Sequence, residues 1–244
     1  MGIRLRSADA AFLSAARRRY ATFVGRGVDL EVSIETTLRP LRRMTDEPVL
    51  RGGGRLERHD FELELRGSRA EARVVRGPAA LDGLLRVLLA LELVRRGGFL
   101  CHSAAADGWL FPGRSGAGKS TLGRKVPRGR LLADELVGVI GGRLHSTPFW
   151  GDFRAGRQNG SRRLEALFLL DRRAPRGVRP VSRQEALVRL LECALCFEDD
   201  ARSAARVLRA AQACVESAPA FALSYDARRT TFRSLESMLR EARR

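Results

Sequence analysis

Gly113-Arg-Ser-Gly-Ala-Gly-Lys119-Ser120-Thr121 is the stretch on which the reading of this chain turns. It fits G-x-x-x-x-G-K-[ST], a glycine-rich loop whose backbone N–H groups cradle phosphates. Its lysine is one of only two, Lys119 and Lys125, beside 43 arginines in 244 residues. A chain that uses arginine almost everywhere has a lysine where the β- and γ-phosphates of a nucleotide need one. The reason is shape: an ammonium on a flexible stem curls over a tight loop as a point charge, and a planar guanidinium is too broad for that nest. A chance match in a chain of this composition is roughly one in several hundred.

The flanks agree with the loop. Trp109-Leu110-Phe111 is a short apolar run ending at Pro112-Gly113, as a buried strand feeding the loop should be. Ser120-Thr121-Leu122 then opens a segment able to start a helix, with N–H groups and dipole directed at the anion. Gly113, Ser115, Gly116, Ala117, Gly118, Lys119, Ser120 and Thr121 are therefore the candidate nucleotide-binding residues. The Ser120 hydroxyl is the candidate ligand for Mg²⁺.

Farther out, the N-terminal part reads as strand-rich. Ala8 to Val24 has the pattern of a basic amphipathic helix, and Val28 to Thr36 alternates as a half-buried strand. Gly52-Gly-Gly54 reads as a turn. Phe61 to Leu65 and Ala70 to Val75 read as a hairpin about Gly67-Ser68. Pro78 to Arg95 is a helix closed by Gly97-Gly98. From Gly98 the rhythm becomes α/β: strands at Phe99 to Ala104, Trp109 to Phe111, Arg130 to Ala133, Val137 to Ile140 and Leu164 to Asp171, with Gly141-Gly142 as a turn. Arg154 to Arg163 is expected to be a loop. Ser182-x-x-Glu185 is a capping box opening a helix. Asp199 to Val215 is a second helix, Phe221 to Tyr225 a late strand and Phe232 to Arg244 a basic terminal helix. The expected division is an antiparallel strand-rich section over 1–97, packed on a nucleotide-binding core over 98–244.

Composition limits the partners. A net charge of +17 invites a nucleic-acid reading. The excess is arginine scattered along the chain, without interleaved aromatics or a recognition motif, which favours a coding bias and a solvated surface. Nucleic acid is accordingly not the expected partner. No run approaches the ~18 apolar residues of a membrane span, and no secretory h-region opens the chain, so the expected location is cytoplasmic. The four cysteines, Cys101, Cys193, Cys196 and Cys214, do not form a disulfide pattern. Cys193-Ala-Leu-Cys196 falls in the helical pattern Glu185 to Phe197 and reads as small residues on a helix rather than a metal or redox pair.

Phosphoryl transfer needs a metal and a group that takes the acceptor's proton. Asp134-Glu135 ends an apolar run 15 residues after Lys119. Strand ends in a parallel α/β sheet converge on one crevice, so this pair can face the phosphates, one acid holding Mg²⁺ and the other taking a proton. His102 ends the preceding strand, where a histidine is either a polar core residue or a catalyst. His145 reads as an edge residue, and His59 sits in a charged turn.

His102-Ser-Ala-Ala-Ala, Phe111-Pro-Gly-Arg-Ser-Gly-Ala-Gly-Lys-Ser-Thr-Leu122, Leu131-Leu-Ala-Asp134-Glu135 and Thr147-Pro-Phe149, taken together, resemble the HPr serine kinase/phosphorylase C-terminal domain family. The likeness is to its shorter kinase-like relatives. It spans about residues 98 to 225 and includes the Leu-Glu-Ala-Leu-Phe-Leu-Leu strand followed by Ser182-Arg-Gln-Glu-Ala-Leu. The resemblance implies a P-loop kinase core of the HPr kinase/phosphoenolpyruvate carboxykinase type and phosphoryl transfer from ATP to a serine hydroxyl. It implies His102 beside the transferred phosphate, Asp134 as proton acceptor and Glu135 as a metal ligand where the family has a second Asp. The Arg-Gly-Leu-Gly-type signature of the family's phosphorylases is not recognisable. Arg154, Arg157, Arg162 and Arg163 are the neighbouring candidates for a phosphate clamp.

The leading expectation is an ATP- and Mg²⁺-dependent kinase with His102, Lys119, Asp134 and Glu135 at its centre, acting on a hydroxyl of a protein, peptide or small molecule, as monomer or oligomer. The alternative is a nucleotide-binding regulator without transferase activity. A third, nucleic-acid-dependent ATPase reading rests on charge alone.

Overall fold

The computed structural model describes residues 1–41, 54–151, 158–171, 176–226 and 228–242. It is a mixed α/β structure, and its contacts divide the chain into two compact units: 1–91 with 197–204, and 92–196 with 205–244.

The first unit is built on one sheet. Its elements are β1 (Ile3–Arg6), α1 (Ala10–Arg19), a 3-10 turn at Ala21–Phe23, β2 (Leu30–Thr37), β3 (Arg55–Arg58), β4 (Phe61–Arg66), β5 (Arg69–Val75) and most of α2 (Pro78–Arg95). The strand order is β1-β2-β5-β4-β3. β4 and β5 form the expected hairpin, with Gly67 at φ +59 in its turn. The pairing is not antiparallel throughout, however: β1 runs parallel to β2, and β2 parallel to β5. The expectation followed local alternation, which fixes a strand's face but not its partner. Here α1 carries the chain across from β1 to β2, so the two strands run the same way. Alternation buries Leu30, Val32 and Ile34 on one face. In α1, Asp9 caps the helix by accepting from the Phe12 N–H. Arg19 turns inward to Asp82 of α2, which also accepts from the Tyr20 hydroxyl at 2.5 Å. Of the expected Gly52–Gly54 turn, Gly54 is described, at φ +77, and residues 52 and 53 lie outside the described residues.

The second unit carries β6 (Phe99–Ala106), β7 (Trp109–Pro112), α3 (Lys119–Gly123), β8 (Leu131–Ala133), β9 (Leu136–Ile140), β10 (Arg143–His145), β11 (Ser161–Arg163), β12 (Ala166–Leu170), β13 (Gly177–Pro180), α4 (Arg183–Leu191), β14 (Ala194–Leu195), most of α5 (Ala201–Ser217), β15 (Ala220–Ser224) and α6 (Phe232–Glu241). The main path of its sheet is β11-β10-β9-β6-β7-β12-β15-β13, with β8 and β14 also paired to β6. Among the described residues of this unit, only β7, β12 and β15 form a parallel run. Gly141 and Gly142, at φ +57 and +68, make the tight turn between β9 and β10 that side chains with a Cβ resist.

Side-chain parity sorts the core into two layers. Ala104, Ala106, Trp109, Phe111, Phe168 and Phe221 lie on the face that receives Leu122 of α3 and Leu235 and Leu239 of α6. Cys101, Ala105, Leu110 and Leu167 lie on the other, with Ala186 and Leu190 of α4 and Val207, Ala211 and Cys214 of α5. Phe111, Phe168 and Phe221 stack in series at centroid spacings of 5.7 and 5.4 Å.

One expected helix is shorter than its pattern. α4 ends at Leu191, and Cys193-Ala-Leu-Cys196 is not helical: Ala194 and Leu195 form β14, antiparallel to Cys101 and Leu100. The free edge of β6 at that point offers main-chain bonds that outweigh local helical periodicity. Ser182 caps α4 by accepting from the Glu185 N–H, which is one of the two bonds of a capping box. Cys193 is buried and Cys196 exposed.

Candidate functional site

Two interruptions in the sheet, on opposite flanks of β6, build the site. On one flank β7 pairs with Ser103 to Ala106, and β14 with Leu100 and Cys101. The two short strands therefore lie end to end along β6, and the glycine-rich loop leaves the sheet at the gap between them. His102 spans that gap: its carbonyl accepts the Gly113 N–H at 3.2 Å, and its N–H donates to the Cys193 carbonyl at 2.7 Å. On the other flank β8 pairs with Ala105 and Ala106, and β9 with Phe99 to His102. The corner between them is Asp134-Glu135, and the Ser103 N–H donates to the Glu135 carbonyl at 3.0 Å. Main-chain hydrogen bonds alone thus bring His102, the start of the loop and the acid pair to one level of the sheet.

The loop has the torsions its glycines allow. Gly116 and Gly118 sit at φ +80 and +101, where a Cβ is strained. A Cβ on Gly113 would come within 2.8 Å of the Ala117 Cβ. Lys119 is 5% exposed, and its Nζ donates to the carbonyls of Gly113 at 2.7 Å and Arg114 at 3.1 Å. Burial pulls its pKa below the ordinary lysine value, and the Glu135 carboxylate works against that shift. Ser115 and Thr121 are exposed, and Ser120 and Ala117 half-buried. The helix that follows is short: α3 has five residues, so its dipole is small, and the loop's own N–H groups carry the anion-binding potential. α3 is held instead by packing, Leu122 and Val126 lying in one cluster with Leu235 and Leu239 of α6. Lys125 donates to the Thr230 carbonyl at 2.6 Å.

The two acids differ in setting. Asp134 is 1% exposed, and its Oδ1 accepts the Gly151 N–H at 3.3 Å. The Glu135 side chain is 26% exposed, with Oε1 3.2 Å from Nε2 of His102. By strand parity the His102 side chain leaves β6 on the face of Ala104 and Ala106, the face that α3 covers. The chain after β10 is tied to the same corner. Thr147 donates through Oγ1 to the Leu136 carbonyl at 2.7 Å, and Ser146 and Gly160 exchange hydrogen bonds.

The arginine candidates separate. Arg154 and Arg157 lie outside the described residues. Arg162 and Arg163 are exposed on β11, not in a loop, and pair with Leu144 and Arg143. Arg143 in turn pairs with Ile140, at the end of β9 away from Leu136 and His102, so β11 carries both arginines away from the acid corner. His145 lies on β10, and burial lowers its pKa. His59 is exposed in a turn of the first unit.

Sequence reasoning missed two contributors. Cys193 supplies the carbonyl that completes the gap at His102, and its thiol, pushed up by burial, lies within electrostatic reach of Lys119 and Arg114. Gly151 supplies the N–H bound by Asp134. Neither role has a local signal, since both depend on long-range pairing.

The corner offers hard oxygens, the Asp134 and Glu135 carboxylates, and the loop adds the Ser120 hydroxyl at the start of α3. That set suits Mg²⁺, which is usually held by one or two carboxylates together with substrate phosphates. Among the described residues no three His, Cys, Asp or Glu side chains form a metal-binding group of their own. No helix among them is long and apolar enough to cross a membrane. No protein-family model matches the chain, and no curated protein matches it either.

Proposed function

We propose that the chain is a P-loop kinase that transfers the γ-phosphoryl group of ATP, with Mg²⁺, to a hydroxyl of a protein or peptide. The observation that supports it most is the pair of interruptions flanking β6. They set a buried lysine on a glycine-rich loop, a histidine and an acid pair around one backbone level. A loop that only binds phosphate needs no carboxylate nearby, and two carboxylates repel a polyphosphate unless a cation or a proton transfer uses them.

In this reading the N–H groups of 113–121 and the Lys119 ammonium hold the β- and γ-phosphates. Lys119 then exchanges its bonds to Gly113 and Arg114 for phosphate oxygens. Ser120 and a carboxylate of the corner would hold Mg²⁺, which when bound neutralises charge on the β- and γ-oxygens. His102 stands beside the transferred group and orients Glu135 across the 3.2 Å contact. The HPr-kinase-like motif pattern supports serine as the acceptor class.

The test is transfer of labelled γ-phosphate from ATP to candidate acceptor proteins, with Lys119→Ala as control. Transfer lost in the control supports the kinase. Tight ATP binding without transfer to any acceptor, joined to a partner whose affinity follows nucleotide state, would establish the regulator instead.

A further inference from the structure

We propose that the two acids of the β8–β9 corner divide the work: Glu135 is the carboxylate that meets the acceptor hydroxyl, and Asp134 is a positioning residue that holds Gly151 against the corner. This rests on the kinase reading above and gives to Glu135 the proton-accepting role that the motif resemblance implies for Asp134.

Access separates them first. Asp134 is 1% exposed and its carboxylate is engaged by the Gly151 N–H, so an acceptor hydroxyl reaches it only by displacing that segment. Glu135 is 26% exposed on its side chain, touches His102, and its charge acts on Lys119. It is the acid in contact with the histidine at the gap in the sheet.

Size separates them next. A Cβ built on Gly151 would stand 3.0 Å from Glu135 Oε2 and 3.4 Å from the Asp134 carbonyl. Glutamate is one methylene longer than aspartate, and the missing side chain at 151 leaves room for that extra length. Thr147 fixes the same segment from the other direction through its bond to the Leu136 carbonyl. Asp134, Gly151 and Thr147 thereby set where the longer arm of Glu135 comes to rest.

In the step itself the acceptor oxygen forms a bond to the γ-phosphorus while its proton passes to the Glu135 carboxylate. The bridging P–O bond breaks and ADP leaves with the electron pair. Glu135 then releases the proton to solvent.

The probe is hydrolysis of γ-labelled ATP, with water as acceptor, alongside ATP binding and hydrogen exchange at the Gly151 amide. Glu135→Gln should lower kcat about a hundredfold or more with ATP affinity nearly unchanged. Asp134→Asn should cost less in kcat and should speed Gly151 exchange, which Glu135→Gln leaves alone. Gly151→Ala should lower kcat about tenfold by misplacing Glu135. Adding Glu135→Asp to it should restore most of that loss, because the shorter arm clears the new Cβ. Rescue of this kind is not expected of a glycine that serves the fold alone. The proposal is overturned if Asp134→Asn is the more damaging acid variant with Gly151 exchange unaltered, or if the double variant is worse than Gly151→Ala. A wild-type protein without Lys119-dependent ATP binding or hydrolysis would defeat the kinase reading and this proposal with it. Lys119-dependent hydrolysis that survives Glu135→Gln would defeat this proposal alone.

Discussion

Lys119 folds back over its own loop, its Nζ donating to the Gly113 carbonyl oxygen at 2.7 Å. With Arg114 as second acceptor, the ammonium is buried yet satisfied, at the point where a phosphate oxygen would replace a carbonyl. Lys119→Ala removes that exchange. ATP at about 100 times its Kd should stabilise the wild-type protein by about 2.7 kcal/mol, and the variant by nothing measurable. Denaturant titration with and without Mg²⁺–ATP reads the difference. Equal stabilisation of both proteins would remove the lysine from the site.

The loop's shape depends on backbone that only glycine adopts freely. Gly118 stands at φ +101 just before α3 and Gly116 at φ +80, and a methyl group on either would meet no neighbouring atom within 4 Å. Strain, not crowding, is therefore what Gly118→Ala introduces. It should cost about 1–2 kcal/mol or force the loop to rearrange. The expected signature is ATP affinity reduced about tenfold or more with the unfolding transition still cooperative. Unchanged affinity would show that the loop does not hold phosphate in this conformation.

How far the sequence foretold this depends on the range of the interaction concerned. The β4–β5 hairpin, α2 and its glycine stop, and the β7-to-loop junction follow from alternation, capping and turn chemistry within a few residues, and all are present. The pairing of β2 with β5 and of β14 with β6 joins segments far apart in sequence. Local periodicity therefore read the first as antiparallel and the second as helix. The acid corner shows both sides of this. Asp134-Glu135 is legible as a pair at a strand end, but the bond that Asp134 accepts from the Gly151 N–H, 17 residues away, has no local signal. The His102–Glu135 contact depends on β6 having β9 on one flank and a broken β7–β14 line on the other.

Phe168 is the keystone of the face beneath the loop's helix. It is fully buried, stacked between Phe111 and Phe221, with Trp109 edge-on at 5.9 Å. Phe168→Ala should destabilise the protein by about 4 kcal/mol, combining lost transfer energy with the cavity left behind. Phe168→Leu fills most of that space and should cost about half as much. ATP affinity should fall along with stability, because Phe111 leads directly into the loop. A loss below ~1 kcal/mol in Phe168→Ala would contradict the packing described.

α6, which helps hold α3, is itself fastened by charge. Glu236 accepts from Arg130 and Arg240, and Arg130 also binds Asp107. Those guanidiniums pull the Glu236 pKa from 4.5 to about 2. A carboxylate with a lowered folded-state pKa adds stability that is fully present above its unfolded value and lost as pH falls through the folded one. The window is therefore about pH 4.5 down to 2. Over it the wild-type protein should lose more stability than Glu236→Gln, which has no proton to take up at that position. Both side chains keep some solvent exposure, at 32% for Arg130 and 21% for Glu236, so the difference should be small and should shrink in 1 M salt. Urea midpoints at pH 5 and pH 2.5, at low and high salt, measure it. Parallel acid profiles for the two proteins would mean that this network does not fasten α6.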